Sequence, residues 1–121
     1  MMTGRVSSLH ALLPVTFQLD SGTQISIEFV IDTGFTGDLT LPLSAVQHLG
    51  LPFFESIYAN LATDDEVYLP VHTATILWNG NAIEARVLGT GKRPLLGTGL
   101  LQGYQLLAQF AEAGLVTIDS L

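Results

Sequence analysis

The sequence predicts an all-β fold carrying one or two short helices. Two observations drive this: apolar and polar residues alternate with period two along most of the chain, and turn signals interrupt the alternation at short intervals. A third sets the scale. With 121 residues, 48% hydrophobic and only 12% charged, the chain has material for one domain, residues 1–121, around one core.

Taken in order, Val15, Phe17 and Leu19 alternate with Thr16 and Gln18, and Ile25, Ile27 and Phe29 alternate with Gln24, Ser26 and Glu28. Asp20-Ser21-Gly22-Thr23 between them is a turn cluster, so this segment predicts a β-hairpin with one buried face. At Phe29-Val30-Ile31 the alternation gives way to an apolar run, as in a strand covered on both faces. Leu39-Thr40-Leu41 is a further short strand. Ser44 followed by Gln47 predicts a capping box, and the helix it opens can run only from Ala45 to about Leu49, because Gly50 and Pro52 follow. Ile57 to Ala62 and Val67 to Trp78 predict two strands around the polar tip Thr63-Asp64-Asp65-Glu66, and Pro70 marks the second as an edge or as broken there. Asn79-Gly80 predicts a two-residue turn from which Ala82 to Leu88 returns. After the loop Gly89 to Pro94, Leu95-Leu96-Gly97 predicts a short buried strand and Gly99 to Gln102 one helical turn. Tyr104 to Phe110 and Leu115 to Ile118 are the last strands.

The composition excludes several classes of function. No apolar run approaches the ~18 residues of a membrane helix. The opening Met1-Met2-Thr3-Gly4-Arg5 leads into Ser7, Ser8 and His10, not into a secretory core, so a cytoplasmic location is expected. The absence of cysteine removes disulfides and thiolate metal sites. Four Lys+Arg against eleven Asp+Glu, a net charge of −7, argue against nucleic acid as a partner. His10, His48 and His72 are scattered without metal-ligand spacing. Asp64-Asp65-Glu66 lacks the spaced ligands of a calcium loop and predicts a solvated turn. Gly89-Thr90-Gly91-Lys92 looks like the end of a phosphate loop, but Arg86 and Arg93 stand where that loop requires Gly and Ser or Thr. Lys92-Arg93 is expected to be a solvated loop pair. So low a charge content also suggests that part of the surface is covered by another subunit.

The chemistry is expected at Asp32-Thr33-Gly34. A carboxylate at the end of an apolar strand is costly to bury unless it is hydrogen-bonded, paired or protonated. Thr33 offers a hydroxyl, and Gly34, with no side chain, lets its N–H approach the carboxylate. Gly37 repeats that freedom three residues on. A weak echo recurs in the second half: Val30-Ile31-Asp32-Thr33-Gly34 has its counterpart in Leu95-Leu96-Gly97-Thr98-Gly99.

With Asp32-Thr33-Gly34-Phe35-Thr36-Gly37 followed some sixty residues later by Leu95-Leu96-Gly97, the chain resembles the retropepsin-like aspartic proteases, most closely their short bacterial and cyanobacterial members, over nearly its whole length. The resemblance implies a closed acid-protease barrel. It implies that Asp32 is the catalytic carboxylate, that Thr33 braces the loop across a dimer axis and that Gly34 lines the cleft. It implies further that Phe35, Thr36, Gly37, Leu95, Leu96 and Gly97 surround the substrate, with Thr63, Asp64 and Asp65 in a flap tip above it. Retroviral members pair an acidic residue, two places after the Asp-Thr-Gly glycine, with an arginine after the apolar-apolar-Gly unit; here those places hold Thr36 and Thr98. The chain has one Asp-Thr-Gly and is too short for a two-lobed enzyme, so the second carboxylate has to come from a homodimer, with Leu115 to Ile118 as an edge-strand candidate for the dimer sheet. The implied activity is peptide-bond hydrolysis by water, with no metal or organic cofactor. The alternatives are a catalytically inert fold of the same kind, used for dimerisation or peptide binding, and an unrelated small β-barrel binding domain.

Overall fold

The computed structural model describes residues 1–60 and 63–121. Its elements are β1 (Met2–Ser7), β2 (His10–Gln18), β3 (Gln24–Ile31), β4 (Leu39–Leu41), α1 (Leu43–Leu49), β5 (Phe53–Asn60), β6 (Glu66–Trp78), β7 (Asn81–Gly89), β8 (Leu95–Leu96), α2 (Thr98–Leu101), β9 (Tyr104–Ala108) and β10 (Leu115–Ser120). The all-β expectation with two short helices is met. The predicted strand from Ile57 to Ala62 is observed as far as position 60; its last two positions lie outside the described residues. No helix among the described residues is long and apolar enough to cross a membrane.

The strands follow the order β5-β6-β7-β4-β8-β3-β2-β1-β10-β9. A further pairing of β2 with β6, Thr16 opposite Leu77 and Gln18 opposite Thr75, joins β6, β7, β4, β8, β3 and β2 into a closed ring. Closure removes free edges from that part of the sheet. The period-two pattern explains the interior. Leu13, Val15 and Phe17 of β2 point inward, as do Ala74, Ile76 and Trp78 of β6 and Ala85 and Val87 of β7. The rings of Phe17 and Phe29 lie parallel at 5.9 Å near the centre.

Local signals account for the connections. Asn79 and Gly80 have φ of 51° and 85°, the left-handed pair that a type I′ hairpin turn requires. Pro70 faces Ser56 of β5, while the β6–β7 ladder begins only at Val71 opposite Leu88, so the missing proline N–H falls where β6 is locally an edge. Helix α1 ends at Gly50 in the left-handed conformation.

Two expectations are corrected, and one strand goes beyond them. The capping box does not form: Pro42 is the N-cap, and Ser44 lies inside the first helical turn, where its hydroxyl caps nothing. The chain begins with a strand, β1, that alternation does not reveal, because Gly4 and Arg5 interrupt the apolar pattern and only Val6 is fully buried. The segment Leu115 to Ile118 is not an edge. It lies between β1 (Met2 opposite Ile118) and β9 (Leu106 opposite Ile118), so both its hydrogen-bonding sides are occupied within the chain. Among the described residues, the free edges of the sheet belong to β5 and β9.

Candidate active site

The two echoed segments lie side by side. Val30 is opposite Leu95 and Ile31 opposite Leu96 in a parallel pair, so the sequence repeat aligns residue for residue. This pairing carries the chain into the Asp32 loop under tight control. Val30 N–H donates to Pro94 O at 3.0 Å, and Asp32 N–H donates to Leu96 O at 2.9 Å. Beyond the strands the grip continues: Gly97, Thr98 and Gly99 donate their N–H groups to Asp38 O, Phe35 O and Gly37 O at 2.8, 2.8 and 3.0 Å. The loop is thus held by consecutive main-chain bonds from the second echo, which leaves little freedom for the carboxylate it carries.

Gly34 N–H donates to Asp32 Oδ1 at 2.9 Å, as the sequence predicts. Asp32 is half-buried, not enclosed, and Thr33 and Gly34 are exposed beside it. The carboxylate therefore has one main-chain donor and an open side. That side faces a cleft of about 350 Å³ lined by Asp32, Thr33, Ile31, Leu95, His10 and Arg93. An adjoining hollow of about 390 Å³ shares His10, Ile31 and Thr33 and is walled by Leu9, Leu106, Ala108 and Phe110. Leu9 and Phe110 both line this hollow and expose 77% and 63% of their surface, so they form an apolar patch at its rim.

The other residues expected at the site divide into groups. Leu95 reaches the cleft, whereas Leu96 is fully buried in the core and is placed where substrate cannot touch it. Phe35 is half-buried and packs over the two glycines: a Cβ at Gly37 would meet the Phe35 ring at 2.6 Å, and one at Gly97 would meet it at the same distance. Thr36 is exposed and does not line the cleft. Thr63, Asp64 and Asp65 form an exposed turn, with Thr63 Oγ1 donating to Asp65 Oδ2 at 3.1 Å and Asp64 at φ 64°. None of the three lines the cleft of a single chain. Below this tip the outer face of the β5–β6 hairpin carries Tyr58 and Tyr68, 4.0 Å apart between ring centres, and the hydrogen bond between them raises the Tyr68 hydroxyl above its ordinary value.

Thr98 adds its own tie to the loop, its N–H and Oγ1 both donating to Phe35 O, at 2.8 and 3.4 Å. The acid that sequence reasoning missed is Asp38. Its Oδ2 accepts the main-chain N–H of Arg86 at 3.0 Å, tying the loop to β7. The available signal was its place one residue after Gly37, at the foot of β4, but the partner is a main-chain group 48 residues away. Asp38→Ala is expected to cost about 1–2 kcal/mol, because the Arg86 N–H loses a charged acceptor. Asp38→Asn, which keeps an acceptor oxygen, should cost less than half of that. Chemical denaturation of the two variants checks this.

No protein-family model matches the chain, and no curated protein does. Solved structures do. A retropepsin-like aspartic protease from Rickettsia conorii is similar over 100% of this chain and 91% of its own, with a TM-score of 0.56 and 18% identity. EIAV protease complexed with the inhibitor HBY-793 is similar over 80% of this chain and 91% of its own, with a TM-score of 0.54 and 19% identity. With the ring of strands, the parallel β3–β8 pair and the Asp-Thr-Gly loop between them, these similarities establish that the chain has the retropepsin-like fold.

Proposed function

We propose that this protein is an aspartic endopeptidase that works as a homodimer, with Asp32 of each subunit forming the catalytic dyad. The observation that carries the proposal is the Asp32 loop: a carboxylate fixed by Gly34 N–H and by the main chain of the second echo, with its free side on an open cleft. Among the described residues, one chain brings a single carboxylate to that cleft, since Asp38 is directed away to Arg86. Two carboxyls brought close by a twofold axis share one proton, because ionising both is costly. The charged member takes a proton from water, whose oxygen attacks the scissile carbonyl carbon, while the protonated member donates to the carbonyl oxygen. Collapse of the tetrahedral diol returns a proton to the amide nitrogen as the C–N bond breaks, leaving a carboxylic acid and an amine. Water is the nucleophile and no cofactor takes part.

In this reading Thr33 braces the paired loops, Gly34 holds the carboxylate through its N–H, Leu95 lines the cleft, and the Thr63 to Asp65 turn covers an extended peptide bound as an added strand. The second subunit sits on the apolar hollow next to Thr33, where Leu9 and Phe110 await cover. Since the sides of β10 are already paired, the subunits meet through side chains of this face and not through a sheet shared at Leu115 to Ile118. Small exported domains commonly depend on disulfides; this cysteine-free chain does not, and the cytoplasm is the setting we propose.

The test is cleavage of denatured proteins and a mixed peptide library across acidic and neutral pH, with the oligomeric state followed by sedimentation. Cleavage by a dimer supports the proposal. A dimer that binds peptides and cuts none leaves an inert module, and a strictly monomeric protein sinks the dyad. Phe110→Asp is expected to weaken the dimer by about 100-fold or more, since each subunit buries a large apolar side chain worth ~2 kcal/mol. Activity should then recover with protein concentration, which a direct catalytic defect does not allow.

A further inference from the structure

Resting on the peptidase reading, we infer that Arg93 makes the cleft selective for peptides carrying an acidic side chain next to the bond that is cut. The chain has four cationic side chains, Arg5, Arg86, Lys92 and Arg93, within a net charge of −7. Among the described residues, Arg5 is paired with Glu28 at 3.1 Å and Arg86 with Glu84 at 2.6 Å. The remaining two stand together on the loop that borders the site, and only Arg93 lines the cleft with Asp32.

Its position is built. Pro94 fixes its own φ and holds the residue before it in extended conformation, so the Arg93 backbone has few states to lose. Pro94 O accepts the N–H of Val30 at 3.0 Å, two residues before Asp32 on the same strand. Leu95 N–H is held by Thr40 Oγ1 at 3.2 Å. The root of the arginine is thereby locked to the strand that carries the candidate catalytic carboxylate. At its far end Arg93 Nη1 lies 3.0 Å from His10 Nε2. A guanidinium only donates, so Nε2 is the lone-pair nitrogen in this contact, and the imidazole steers the cation without cancelling its charge. Arg93 is exposed and lines the cleft with Asp32, and a planar guanidinium fork can give two N–H groups to one substrate carboxylate. A protein this acidic repels acidic peptides in general, so a preference for them needs such a local cation.

The test uses labelled peptides that differ only in having Glu, Gln or Lys at each position flanking a central apolar pair. Binding to Asp32→Asn protein is read by fluorescence anisotropy, and cleavage of the same peptides is read with the wild type. At one flanking position the Glu peptide is expected to bind about fivefold more tightly than the Gln peptide at low salt, with the ratio shrinking as salt rises. Arg93→Glu should abolish that ratio and favour Lys instead, with the sedimentation profile unchanged. A ratio of one, a ratio that Arg93→Glu leaves alone, or an Arg93→Glu protein that loses its dimer instead of its preference overturns the inference. A Glu preference in binding without wild-type cleavage fails the peptidase reading alone; cleavage without any Glu preference fails this inference alone; and no binding of any peptide overturns both.

Discussion

Asp32→Asn is expected to lower peptide cleavage by at least about 10³-fold while leaving the fold and the dimer intact, because acid–base catalysis of this kind contributes factors of that order. The substitution suits the question. Asparagine keeps an oxygen at the Oδ1 position, so the 2.9 Å bond from Gly34 N–H survives and the loop has no reason to move. What disappears is the ability to be charged in one subunit and protonated in the other. Two amides can neither take a proton from water nor pass one to the substrate. A quenched-fluorescence peptide assay, with thermal unfolding and sedimentation as controls, reads the effect. Activity near the wild-type level in the purified variant places the chemistry elsewhere and removes Asp32 from its role.

Gly97→Ala is expected to be the most destabilising small substitution near the site, by about 3 kcal/mol or more, since backbone has to shift to admit it. A Cβ there would collide with Gly37 O and stand 2.6 Å from both Phe35 O and the Phe35 ring. Two of those obstacles are main-chain atoms of the Asp32 loop, so relief requires displacing the loop itself. The bonds from Gly97 and Thr98 to Asp38 O and Phe35 O, both 2.8 Å, are strained by the same movement. Activity should therefore fall along with stability. Denaturant midpoints and the peptide assay check this together. A Gly97→Ala protein as stable as the wild type shows that the loop yields easily and that its geometry is not set by this contact.

How much of this is legible in the sequence depends on how local each cause is. The β2–β3 hairpin, the Asn79-Gly80 turn, β4 and the stop at Gly50 follow from neighbouring residues, and they stand where alternation and turn chemistry place them. The Gly34 bond to Asp32 spans two residues and is equally readable. Other causes are not local. The pairing of β10 on both sides depends on partners at opposite ends of the chain, so a terminal apolar strand reads as an edge. Asp38's place after Gly37 does not reveal its role, because its partner is a main-chain N–H, which every residue type but proline carries. Ser44 and Gln47 match a capping pattern that Pro42, already shaped for a helix start, pre-empts. Leu96 is recognisably apolar, but only the assembled sheet distinguishes a core position from a cleft wall.

The parallel β3–β8 pair has one more consequence. The groups that pin the Asp-Thr-Gly segment are supplied by Pro94, Leu96, Gly97, Thr98 and Gly99, which are translated long after it. A ribosome that has progressed only to Gly89 has made the acid but none of the fastenings that this second segment supplies. On the proposed peptidase reading, a hydrolytic centre can form only after most of the polypeptide has been synthesised, so the order in which its parts appear would keep the nascent protein from cutting itself or its neighbours.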